Sequence, residues 1–226
     1  MSDDRQQGGD GRAQDGVMTD TVTGTRAAVA TAAAVPGVAV PAAPGPAGGG
    51  PATPLLSAVL PSPAGDLAVL LTDDGVVRAA GFGSLAATAA RLPGDLAARG
   101  HEHLTAAALA ARGVGPALVV EAVARYADGE GGALDTVPVG QPGGPFQQRA
   151  WAAMRAISPG TTATYAELAA AAGSPTAVRA AGSACARNLV APFVPCHRVL
   201  RSGGTLGGYY FGLDLKRVLL AHEARA

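Results

Sequence analysis

Only two cysteines occur in the 226 residues, Cys185 and Cys196. Cys196 is followed by a histidine, in Val194-Pro195-Cys196-His197-Arg198-Val199. A thiol attacks carbon as the thiolate, and a nearby imidazole is one means of drawing off its proton. Neighbouring side chains point apart along an extended backbone, so the pair needs a bend at Pro195 or a bridging water to act together. Taken alone, Cys196-His197 also reads as a buried small hydrophobe beside a hydrogen-bonding histidine, and Cys185 reads as such a buried side chain. Two cysteines supply neither a disulfide framework nor a zinc signature, so no metal is expected. A free nucleophilic thiol fits a reducing, cytoplasmic location.

The elements that would carry this stretch are short helices. Pro145 opens one with Phe146, Ala150, Trp151, Met154 and Ile157 at helical spacing, ended by Ser158-Pro159-Gly160. Thr164-Tyr165-Ala166-Glu167 has the form of a capping box and starts a second helix, which stops near Gly173. Ser174-Pro175 reads as the cap and first residue of a third, running through Arg179 to about Arg187. Two short helices joined by a glycine-containing turn form a helix-turn-helix. Ala177, Ala180 and Ala181 give the later helix a thin face from which Arg179 projects. From residue 146 onward, eight Arg and one Lys against Glu167, Asp214 and Glu223 leave a net +6. The first 145 residues carry −6, from eight Arg against fourteen acids. A basic module on a neutral chain suits a polyanion.

Residues 1–54 contain no leucine and no aromatic residue and are rich in Gly, Ala, Pro, Thr and Asp. Such a segment buries too little to offset its ordering entropy, which predicts a disordered tail. Its apolar run, residues 27–40, is broken by Pro36 and too short to span a bilayer, so no membrane partner is expected. The apolar runs Leu55 to Leu60, Leu67 to Leu71 and Val76 to Phe82, separated by turn residues including Asp74-Gly75, predict a three-stranded antiparallel meander. Helices are predicted at about Leu85–Leu92, Leu104–Arg112 and Pro116–Asp128. The last carries Leu118, Val119, Ala122, Val123 and Tyr126 on one face, with Pro116 suited to its first position. His101 and His103 flank Glu102 without a further ligand and read as an exposed polar loop. Gly129 to Gly144 reads as a connector. The expectation is an α+β chain: a tail over 1–54, a small N-terminal α/β domain over 55–140, and a mostly helical C-terminal domain over 145–226.

From Phe146 to Glu223 the chain resembles the O6-alkylguanine-DNA alkyltransferases, also called methylated-DNA–protein-cysteine methyltransferases. The matching pieces stand in order: Phe146-Gln147-Gln148-Arg149-Ala150-Trp151, Pro159-Gly160-Thr161-Thr162-Ala163-Thr164-Tyr165, Ala177-Val178-Arg179-Ala180-Ala181-Gly182, Asn188, Pro195-Cys196-His197-Arg198-Val199, Gly207-Gly208-Tyr209 and Leu219-Leu220-Ala221-His222-Glu223. Residues 55–140 resemble the family's variable N-terminal domain more loosely.

The resemblance implies a DNA repair protein. It would move a methyl or other alkyl group from O6-alkylguanine, with O4-alkylthymine a further candidate substrate, onto its own Cys196 without a cofactor, once per molecule. His197 would act as the base through a water, Glu223 would hold the imidazole tautomer, and Asn188 would brace the turn before the cysteine. Tyr165 would give guanine N3 a proton and push on the adjacent phosphate. The helix bearing Ala177, Arg179 and Ala180 would enter the minor groove of double-stranded DNA, and Arg179 would fill the place of the flipped base. Val199 and Tyr209 would line the pocket. Tyr210 and Phe211 stand where some relatives have small residues, which would make the pocket wall bulkier. A monomer is expected. Two other readings are a module that recognises alkylated bases without transfer, and a thiol hydrolase. The first lacks the cysteine in known relatives, and the second has no use for an arginine-bearing helix-turn-helix.

Overall fold

Asp74-Gly75 does what such a pair does between apolar runs: Gly75 takes φ +87°, turning the chain back on itself. The turn also needs glycine for space, since a Cβ there would lie 2.5 Å from the backbone of Gly115. The computed structural model describes residues 53–225 and, ahead of them, a two-residue strand, β1 (Thr25–Arg26). The tail expected over 1–54 otherwise lies outside the described residues as far as Ala52.

The meander is present as β2 (Leu55–Ser62), β3 (Gly65–Leu71) and β4 (Val77–Phe82), antiparallel in sequence order. The sheet nevertheless has four strands, not three. The tripeptide expected to be an exposed loop is β5 (His101–His103), which pairs in parallel with Leu55–Ser57 at the free side of β2. Its three side chains are exposed, so it carries no apolar alternation by which to recognise it. Ser57 hydrogen-bonds His101 Nδ1 at 2.9 Å, and Glu102 pairs with Arg112. Beyond Ser57 the same side of β2 has no partner strand among the described residues, and Pro61, lacking an N–H, is accommodated there.

The helices between strands are shorter than expected: α1 (Leu85–Ala89), α2 (Gly94–Ala97), which has no counterpart in the sequence reading, and α3 (Ala106–Ala110). Conversely, α4 (Val114–Ala127) begins two residues before Pro116, and it buries Val119, Ala122, Val123 and Tyr126. The connector after it is fastened down. Val77 N–H donates to Pro138 O at 2.9 Å and Gly140 N–H to Val77 O at 2.9 Å, extending the β4 edge.

In the second part, α5 (Pro145–Arg155) starts on its proline as expected and buries Ala150, Trp151 and Met154. β6 (Thr161–Thr164) lies between β1 and β7 (Val199–Leu200) in a small parallel sheet. α6 (Tyr165–Ala171) begins with the anticipated capping box. Glu167 N–H donates to Thr164 Oγ1 at 3.2 Å, and Thr164 N–H to Glu167 Oε2 at 2.6 Å, a device worth about 1 kcal/mol. α7 (Val178–Ala186) starts later than expected. Ser174 and Pro175 instead form a turn closed by Ala177 N–H to Ser174 O, 2.9 Å, and no side chain caps α7. The last helix is α8 (Leu213–Glu223). One buried apolar cluster contains residues of both parts, from Leu60, Val69 and Tyr126 to Trp151, Phe193, Cys196 and Leu219. No described helix is long and apolar enough to cross a membrane.

Candidate active site

Cys196, His197 and Arg198 form one turn of 3₁₀ helix leading into β7. The turn sends the thiol and the imidazole to different partners, and no hydrogen bond joins them. All residues from Ala191 to Leu200 are buried, and Cys196 exposes 8% of its surface.

The thiol faces Asn188, whose Nδ2 donates to Cys196 Sγ at 3.2 Å and to Val194 O at 2.7 Å. Asn188 Oδ1 accepts from Val190 N–H and from Gln141 Nε2, both at 3.1 Å. Gln141 Oε1 in turn accepts from Leu189 N–H at 2.7 Å. One amide thus ties the loop between α7 and the cysteine to itself and to the connector, with its polar atoms satisfied.

The imidazole belongs to a second network. His197 Nε2 and Glu223 Oε1 are 2.9 Å apart, and Tyr126 donates its hydroxyl to the same oxygen at 2.9 Å. Arg198 donates from Nε to Glu223 Oε2 at 2.8 Å, from one terminal nitrogen to Oε1 at 2.9 Å, and from the other to Ile157 O at 2.6 Å. Burial would raise the Glu223 carboxyl, but His197 and the bidentate Arg198 outweigh it and hold the group well below the usual carboxylate range. Burial lowers the His197 pKa against the pull of Glu223 and keeps the ring neutral. An ionised carboxylate can only accept, so Nε2 carries the ring proton and Nδ1 keeps a lone pair. Nδ1 is buried, with no hydrogen-bond partner among the described residues.

Burial also pushes the Cys196 thiol up, opposed by the Asn188 hydrogen bond and then by the charge of Lys216. Lys216 itself is fully buried and donates to Val199 O at 2.7 Å. The thiol is therefore a neutral S–H at rest, and the site holds a neutral thiol, a neutral imidazole and a fixed carboxylate.

Tyr165, the first residue of α6, lies half-buried against Gly207. A Cβ on that glycine would come within 2.5 Å of the phenol oxygen, so the close approach requires glycine. Burial raises the Tyr165 pKa, and it remains a donor. Tyr209 brings its ring 6.5 Å from that of His197, and its hydroxyl is buried without a partner among the described residues. Phe211 turns toward the N-terminal part, edge-on to Phe82 at 5.4 Å, while Tyr210 is 65% exposed. Arg179 is exposed on α7, with Ala177 and Ala180 partly exposed around it. Cys185, on the same helix, is mostly buried, which pushes its thiol up.

Sequence reasoning assigned no role to Tyr126, Gln141, Arg198 or Lys216. A signal existed for one of them: Lys216, Leu219, Leu220 and Glu223 fall at helical spacing, placing two charges on a buried stripe of α8.

Residues 145–225 match the family described as 6-O-methylguanine DNA methyltransferase, DNA binding domain. The methylated-DNA–protein-cysteine methyltransferase of Salmonella typhimurium is 42% identical over 108 residues, 48% of this chain and 63% of that protein. The bifunctional transcriptional activator/DNA repair enzyme Ada of Escherichia coli is 51% identical over 89 residues, 39% of this chain and 25% of that protein. The chain thus spans between a quarter and just under two thirds of these curated relatives. Among solved structures, Mycobacterium tuberculosis O6-methylguanine methyltransferase superposes with a TM-score of 0.58 at 28% identity, covering 76% of this chain and 94% of that one. The same organism's OGT in complex with DNA gives 0.56 at 27% identity, with the same coverage. The fold is that of an α+β protein with a buried cysteine at its centre. Over residues 145–225 the chain is similar to the O6-alkylguanine-DNA alkyltransferases, and its fold is similar to that of their solved structures.

Proposed function

We propose that this protein repairs double-stranded DNA by transferring the alkyl group of O6-alkylguanine, methyl foremost, irreversibly to Cys196. The observation that carries the reading is the pair of networks meeting at Cys196-His197: Asn188 on the sulfur, and Glu223 fixing the imidazole so that its buried Nδ1 is left as the base.

In this reading a water passes the thiol proton to His197 Nδ1, and Glu223 and Arg198 stabilise the imidazolium that results. The sulfur attacks the methyl carbon, the carbon–O6 bond breaks, and its electron pair leaves on guanine. Tyr165 donates a proton at guanine N3, so the departing base is neutral. The product is a thioether, which no ordinary reductant cleaves, so each molecule acts once. Lys216 occupies one side of the Val199 carbonyl; its other lone pair, with the Cys196 carbonyl, serves the guanine amino group.

Delivery of the base falls to α6 and α7, a helix-turn-helix within residues 145–226, working beside an N-terminal unit of residues 55–140. The thin Ala177–Ala180 face lets α7 approach the minor groove closely, and Arg179 takes the place of the extruded base, whose unstacking costs a few kcal/mol. The protein works as a cytoplasmic monomer. Incubation with duplex DNA containing O6-methylguanine, followed by intact mass, tests the reading. A gain of one methyl per molecule is expected; no gain, or continued turnover, refutes it.

A further inference from the structure

The N-terminal part reaches the site through Arg91, two residues beyond α1. One terminal nitrogen of its guanidinium donates to the backbone carbonyl of Asn188 at 2.6 Å, the residue whose side chain touches the thiol. The same group stacks over Tyr210, 4.2 Å from the ring centroid, and lies 5.7 Å from that of Phe211. Phe211 also packs closely on the sheet: a Cβ on Gly81 of β4 would come within 2.6 Å of its tip. Ring contacts then run without a break from His197 to Tyr209 at 6.5 Å, Tyr209 to Phe211 at 5.6 Å, and Phe211 to Tyr210 at 5.0 Å and Phe82 at 5.4 Å. The aromatic wall begins at Tyr209, beside the ring of the His197 that follows Cys196, a thiol that exposes only 8% of its surface. A methyl group reaches such a sulfur with little displacement, whereas a benzyl group requires the wall to swing away.

Resting on the alkyl-transfer reading above, we infer that Arg91 is a specificity determinant: it clasps the Tyr209–Phe211 wall and the Asn188 loop to the N-terminal part, and so favours small alkyl groups over bulky ones. Loss of the clasp frees the wall, and discrimination of this kind spans about ten- to two-hundredfold in apolar pockets. The test compares single-turnover transfer from one duplex sequence carrying either O6-methylguanine or O6-benzylguanine for the full chain, Arg91→Ala and Tyr210→Ala. The benzyl-to-methyl rate ratio should rise about tenfold in Arg91→Ala. It should move the same way in Tyr210→Ala, which removes only an exposed ring and carries the test if Arg91→Ala folds poorly. A ratio unchanged or lowered in the folded variants overturns the clasp, because a merely structural arginine would slow both substrates alike. If the unaltered protein gains mass from neither substrate, the parent reading fails and the clasp with it.

Discussion

Tyr126 and Glu223, 97 residues apart in the chain, share a buried hydrogen bond of 2.9 Å. A helix of the N-terminal part therefore supports the carboxylate that fixes His197. Burial, with Glu223 alongside, raises the Tyr126 pKa and keeps its phenol a donor. Tyr126→Phe removes this donor while filling the same space. Transfer should slow about threefold to tenfold, and stability should fall by about 1.5 kcal/mol, the worth of a hydrogen bond to a charged group. Single-turnover kinetics and urea unfolding check both, and full retention of both would detach Tyr126 from the site.

Glu223→Gln leaves Arg198 buried without its ionic partner, a change that costs about 3–5 kcal/mol. It also lets the imidazole choose its tautomer, so transfer should slow with little effect on DNA affinity. A single-turnover rate that stays at the unaltered value across neutral pH would falsify the orienting role of the carboxylate.

His197 and Glu223 both have pKa values in the folded protein below their unfolded ones. The unfolded chain therefore binds more protons, and the stability these groups contribute is complete above about pH 6.5. It is lost as the pH falls through the ordinary histidine and then carboxylate range toward their folded values. Chemical denaturation between pH 7 and 4 should show this acid-side loss, and a flat profile would contradict it. Transfer should persist below the pH at which an ordinary histidine becomes protonated.

Peptide mapping after reaction should place the methyl on Cys196. Cys196→Ala should bind DNA without gaining mass, whereas Cys185→Ala should still react. A methyl group on Cys185 would redirect the assignment to α7.

Arg179→Ala should impair repair in duplex DNA far more than transfer from free O6-benzylguanine, which needs no unstacking. Salt dependence separates two roles: loss of a phosphate-contacting arginine lowers the salt slope by about one, loss of an inserted one does not. Equal slowing on both substrates would mean that Arg179 supports the fold.

What the sequence disclosed was what short-range chemistry controls. Thr164 and Glu167 specify the start of α6 through neighbours three residues apart, and Asp74-Gly75 specifies its turn in the same way. Ser174-Pro175 misled because its signal fits a helix start and a β-turn equally, and the turn was adopted. β5 escaped notice because an exposed three-residue edge strand needs no apolar pattern. Cys196 and His197 stand out in the sequence as a motif, but Tyr126, Gln141 and Arg91 meet their partners across 47 to 97 residues of chain, and no local spacing encodes such meetings.

The protonated state of Cys196 bears on the protein's working life. On the alkyl-transfer reading, a sulfur that can be used only once is lost to any stray oxidant or alkylating molecule that reaches it first. Reactivity toward such agents belongs to the thiolate, which burial suppresses here. The molecule waits as an unarmed reagent, and its sulfur is called on only when a proton path and an alkyl carbon are aligned together. Latency, as much as nucleophilicity, is what the closed surroundings of this cysteine provide.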